Sequence, residues 1–90
     1  MEEKLVFKKS FGKCLRQKRT ESKLTLQQLG LKADLDDNYI GKIERGQKIP
    51  SVYIFTKLSE SLDLNLQYFL HEVKEEMESE LSSKKWQRLH

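Results

Sequence analysis

Asn38 and Lys42 stand four residues apart in the stretch "DNYIGKIERG", residues 37–46. At helical spacing they share a face with Asp37 and Gly41, while Ile40 and Ile43 share the opposite one. An asparagine side chain can bond an adenine edge at two points, and a lysine can reach the acceptors of guanine. The same residues on a solvated helix face would do nothing, and residue type alone leaves both readings open. Asp37 is ambiguous in a similar way. Phosphates repel a carboxylate, yet it can accept a bond from a cytosine amino group, or simply cap the helix beside Asp36.

Little other chemistry is written in the chain. His71 and His90 are isolated, and no set of Cys, His and carboxylate has metal spacing. No nucleophile–base arrangement or glycine-rich phosphate loop is visible. The expectation is therefore no metal, no cofactor and no enzymatic activity. Cys14 alternates with apolar residues, which places it in the core, and a single cysteine excludes an internal disulfide. No apolar run approaches the ~20 residues of a membrane span. "MEEKLVFKKS" has its acidic and basic residues in the wrong order for a secretion signal. A cytoplasmic protein is expected.

The charge is uneven. Residues 1–48 carry 12 Lys/Arg against 7 Asp/Glu, a net of +5; residues 49–90 carry 5 against 7, a net of −2. A basic first half fits an anionic partner, although 34% charged residues also fits an ordinary solvated surface.

The elements that must hold these residues are helical. Apolar spacing follows a period of three to four, and strand-like alternation is absent. Ninety residues make one small domain. Helix one is expected over about 8 to 22, with Phe11, Cys14 and Leu15 inward. Helix two begins at Thr25, where "TLQQ" is a capping box, and ends near Ala33. Helix three is capped by Asp36 and stopped by Gly46. Ser51 caps helix four, which turns Phe55, Leu58 and Leu62 inward. Asn65 caps helix five, with Leu66, Phe69, Leu70, Val73, Met77 and Leu81 spaced by three or four. Helices two and three, joined by a tight link, have the layout of a helix-turn-helix.

"LTLQQLGLKADLDDNYIGKIERGQKIPS", residues 24–51, resembles the helix-turn-helix of the phage repressor and Cro family, also called the XRE family. Its pattern falls on Thr25, Leu29-Gly30, Asp34, Tyr39-Ile40-Gly41, Ile43-Glu44-Arg45-Gly46 and Pro50-Ser51. "FGKCLRQKR" resembles the family's first helix and "KLSESLDLNLQYFL" its last two. The resemblance implies an all-α, five-helix lambda-repressor-like domain over 8–70. An N-terminal arm, 1–7, would precede it and a C-terminal helical extension, 71–90, would follow. It implies that Asp37, Asn38, Gly41 and Lys42 face base edges. Arg45, Gln47 and Lys48 would grip the backbone, helped by Gln27, Tyr39, Lys13 and Arg16, although Tyr39 could equally pack between helices two and three. Glu44 would pair with Arg19 and stay structural. Three positions depart from the family. Gly41 replaces the usual serine. Leu26 stands where many members carry a phosphate-clamping glutamine, which leaves Gln27 as a weak substitute. Lys23 replaces the glycine after helix one.

The function implied is a sequence-specific regulator of transcription, of the repressor or restriction-modification controller type. It would bind a palindromic operator in double-stranded DNA as a homodimer. Leu70, Val73, Met77, Leu81 and Trp86 are the expected interface. The alternative is a protein-binding or antitoxin-like adaptor that uses the same helices as a scaffold.

Overall fold

The computed structural model describes residues 2–89, with side chains from 2 to 82. Five helices follow one another: α1 (Glu2–Glu21), α2 (Leu26–Ala33), α3 (Asp37–Glu44), α4 (Val52–Leu62) and α5 (Leu66–Leu89). The all-α expectation holds, and each expected cap is made. The Thr25 hydroxyl accepts from the Gln28 N–H at 3.1 Å, and the Gln28 side chain accepts from the Thr25 N–H at 2.8 Å. Asp36, Ser51 and Asn65 accept from the amides of Asn38, Ile54 and Tyr68. Each bond satisfies an N–H that a helix start leaves free. Gly46 ends α3 at φ 76°, and Lys23 turns between α1 and α2 at φ 59°, a conformation that disfavours any side chain.

Two boundaries differ from expectation. The segment 1–7 is not a separate arm, because α1 already begins at Glu2. Glu2 and Glu3 suit the positive end of the helix dipole. Val6 is 3% exposed and Phe7 packs on the core. The apolar face was hidden because small Ser10 and Gly12 occupy two of its buried positions. The domain also does not stop at 70. Val73 is 1% exposed within the core, and Met77 packs against it.

The core joins all five helices. Leu15, Leu29, Ile40, Ile43, Leu58 and Phe69 are fully inaccessible. Each is worth about 1.5–3 kcal/mol of apolar transfer. Phe11 stands edge-on to Phe55 and Phe69, with ring centroids 5.1 and 5.2 Å away. At Gly12, α1 crosses the end of α3 so closely that a Cβ would meet the carbonyl oxygens of Ile43 and Glu44. Only glycine allows that approach.

Three acidic residues of α5 meet lysines of α1. Glu72 meets Lys18 at 3.1 Å, Glu76 meets Lys13 at 2.6 Å and Glu80 meets Lys9 at 3.4 Å. Ascending α5 thus pairs with descending α1, as antiparallel helices require. Glu72 Oε1 is shielded from water and makes no aligned hydrogen bond, so its contact with Lys18 is ionic.

Candidate nucleic-acid interface

Recognition by a helix needs a rigid mount, and α3 has one. The Arg19 guanidinium donates to both oxygens of Glu44, at 2.7 and 3.0 Å, and its third nitrogen donates to the Leu24 carbonyl at 2.8 Å. The side chains are 12% and 5% exposed. The hydrogen bond to Glu44 raises the Arg19 pKa above its ordinary value. A planar fork on a carboxylate fixes orientation as well as charge. The pair ties the last turn of α3 to α1 and to the turn before α2, as the sequence led us to expect.

With Ile40 and Ile43 inward, α3 turns Asn38 and Lys42 fully outward. Neither side chain has an intramolecular bond among the described residues. Tyr39 is half-buried and packs on the core. Asp37 is half-buried. It lines a groove of about 530 Å³ with Gln27, Gly30, Leu31, Asp34, Leu35 and Asp36, so this end of the surface is acidic. Gly41, expected to meet bases, is instead buried. A Cβ there would lie 3.0 Å from Arg45 Nη1 and 3.6 Å from Leu26 Cδ1. The Arg45 guanidinium therefore lies back along α3 and covers the glycine.

Gln47 and Lys48 are exposed on the loop after α3. That loop rests on α1, because a Cβ on Gly46 would stand 3.1 Å from the Lys9 backbone. Arg16 is exposed and shares the α1 stripe of Gly12 and Arg19, the side that meets α3. Lys13 is exposed and meets Glu76 of α5 at 2.6 Å, and the hydrogen bond to Glu76 raises its pKa.

A family model described as helix-turn-helix matches residues 15–69. The chain belongs to the helix-turn-helix family. Among solved structures, the clp gene regulator ClgR from Corynebacterium glutamicum superposes with a TM-score of 0.86 at 22% identity, over 92% of this chain and 88% of that one. The restriction-modification controller protein C.AhdI from Aeromonas hydrophila superposes with a TM-score of 0.65 at 34% identity, over 68% and 92%. Multiprotein-bridging factor 1 from Candida albicans is 37% identical over 57 residues, 63% of this chain. The match spans 38% of that relative's length.

In this helix-turn-helix protein the expected interface residues divide. Leu70 is 43% exposed, one helical turn from exposed Leu66, with exposed Tyr68 on another side of α5. Val73 is a correction: it faces the domain's own core, because the α5 stripe at spacings of three and four serves Phe69 and Val73 before any partner. Met77 is half-buried against the same core, and Leu81 is half-buried. Trp86 lies outside the residues whose side chains are described. Two features were missed in the sequence. Gly12 in mid-helix was a signal of close approach. The Arg45–Gly41 contact had no signal beyond the unusual glycine. Among the described residues no helix is long and apolar enough to cross a membrane, and no group of acidic, His or Cys residues could hold a metal.

Proposed function

We propose that this protein is a sequence-specific, double-stranded DNA-binding transcriptional regulator that inserts α3 into the major groove. The observation that carries the reading is α3 itself. It presents Asn38 and Lys42 unpaired, on a mount locked by the buried Arg19–Glu44 fork. Gln47, Lys48 and Arg16 supply backbone-directed donors on the same side, with Gln27 at the start of α2. The likeness to a restriction-modification controller protein supports a role in controlling transcription. No catalytic step is assigned. The protein acts as a homodimer on a palindromic operator in the cytoplasm, with Leu66 and Leu70 at the centre of the interface.

The test is selection of binding sites from random duplex DNA, followed by titration on the selected site. The expected outcome is a two-fold symmetric site whose affinity falls steeply as salt rises. Asn38→Ala or Lys42→Ala should cost about 1–3 kcal/mol on that site and little on random duplex. Equal losses on both would remove these residues from base reading. One observation favours a second reading, an adaptor that binds protein. Asp34, Asp36 and Asp37 line the groove beside Leu31, which is 85% exposed. Failure to enrich any duplex would favour that reading.

A further inference from the structure

Gly41 is buried although it lies on the outward face of α3. Two side chains stand over it: Leu26, with Cδ1 3.6 Å from the position of a Cβ on Gly41, and Arg45, whose Nη1 lies 3.0 Å and whose guanidinium carbon lies 3.8 Å from that position. The Arg45 N–H still bonds the Gly41 carbonyl at 3.0 Å, so its backbone completes the last α-helical turn. A long side chain on such a turn leans toward the helix N-terminus, over the residue four earlier. At 100° per residue, position 45 falls between 41 and 38 on the helix circumference, about 20° from Asn38 and about 60° from Lys42. No carboxylate pairs with Arg45 among the described residues. The guanidinium thus occupies the middle of the outward face with its donors unspent. A backbone-gripping arginine would instead project from the loop, as Lys48 does.

Resting on the reading of α3 as the groove helix, we propose that Arg45 is a specificity-determining residue that reads a guanine edge, and that Gly41 is the seat that places it. The planar fork of an arginine matches the O6 and N7 acceptors of guanine. A side chain at 41 would take the space the guanidinium uses. A mid-helix glycine weakens the helix relative to alanine, which makes its presence informative.

The experiment compares sites selected from random duplex DNA by the parent, Arg45→Ala and Gly41→Ala. The parent should show a guanine preference at one position of each half-site. Arg45→Ala should lose that preference alone, by about tenfold or more. Gly41→Ala should fold, since the new methyl meets only a mobile guanidinium and an ordinary 3.6 Å contact with Leu26. It should melt higher than the parent and lose the same guanine preference. If Arg45→Ala weakens every duplex alike and flattens the salt slope by about one, Arg45 is a phosphate contact and the proposal is overturned. A Gly41→Ala protein with its guanine preference intact would overturn the seat. A parent that enriches no sequence would fail earlier, and would overturn the DNA-binding reading itself.

Discussion

An arginine and a glutamate that meet in open water contribute little, because solvent screens the attraction and both side chains lose freedom. Arg19 and Glu44 meet at 12% and 5% exposure, where the balance changes. Removing one partner leaves the other charge desolvated, at a cost of about 3–5 kcal/mol for a buried pair. A 90-residue domain has little more stability than that to lose. Glu44→Ala should therefore be largely unfolded near 37 °C by circular dichroism; a variant melting within a few degrees of the parent would show that the fork is not structural. This pair was legible in the sequence because "IERG" and "CLRQKR" belong to one pattern. The Arg45 position was not legible, since side-chain direction at a helix end depends on what the neighbouring residue leaves empty.

At the scale of elements, caps were legible and crossings were not. Thr25, Asp36, Ser51 and Asn65 each cap the helix they were expected to cap, because capping needs only residues within three positions. The α1–α3 crossing involves residues about thirty positions apart, and Gly12 was its only local trace. Gly12→Ala sets two effects against each other. Helix propensity would gain up to about 1 kcal/mol. The methyl would collide with the carbonyl oxygens of Ile43 and Glu44, which are backbone and cannot swing away. Overpacking of this kind costs about 1–3 kcal/mol, so the variant should unfold at lower denaturant than the parent. A higher midpoint would mean that the crossing is looser than the structure has it. The α1–α5 seam makes a pH prediction. The contacts of Lys13 with Glu76 and of Lys18 with Glu72 raise both lysine pKa values, and burial raises that of the Cys14 thiol. In each case the folded state holds its proton more tightly than the unfolded state. These contributions are complete below the ordinary values, about 9.0 for the thiol and 10.5 for the lysines, and fade as pH climbs through the raised ones. Stability should thus begin to fall above pH 9, and Cys14→Ala should delay the onset. An unchanged onset in that variant would assign the whole loss to the lysines.

For the whole molecule the question is how one small domain finds one site. A single α3 spans too few base pairs, and two copies on half-sites about 34–36 Å apart would double the reading. That requires a surface for a second copy, which the first five helical turns of α5 must divide with the core. Phe69 and Val73 go inward at 0% and 1% exposure, and Leu66, Tyr68 and Leu70 go outward at 41%, 63% and 43%. Leu66 and Leu70, one turn apart, make a small apolar patch, and Tyr68 lies across Gln67, His71 and Lys74 from it, so the exposed surface sets apolar residues beside polar ones. The two faces can be separated by one change each. Leu70→Asp introduces a charge where water already reaches, so the fold should survive with an unchanged helical spectrum. In a two-fold interface that charge meets its own copy, and the dimer should dissociate at micromolar concentration. Operator binding should fall while single half-sites are still bound. Val73→Asp buries the same charge in the core and should unfold the chain outright. Sedimentation of Leu70→Asp decides the matter: a variant that sediments as the parent dimer, or a parent that is itself monomeric, would place the dimer surface elsewhere or remove it.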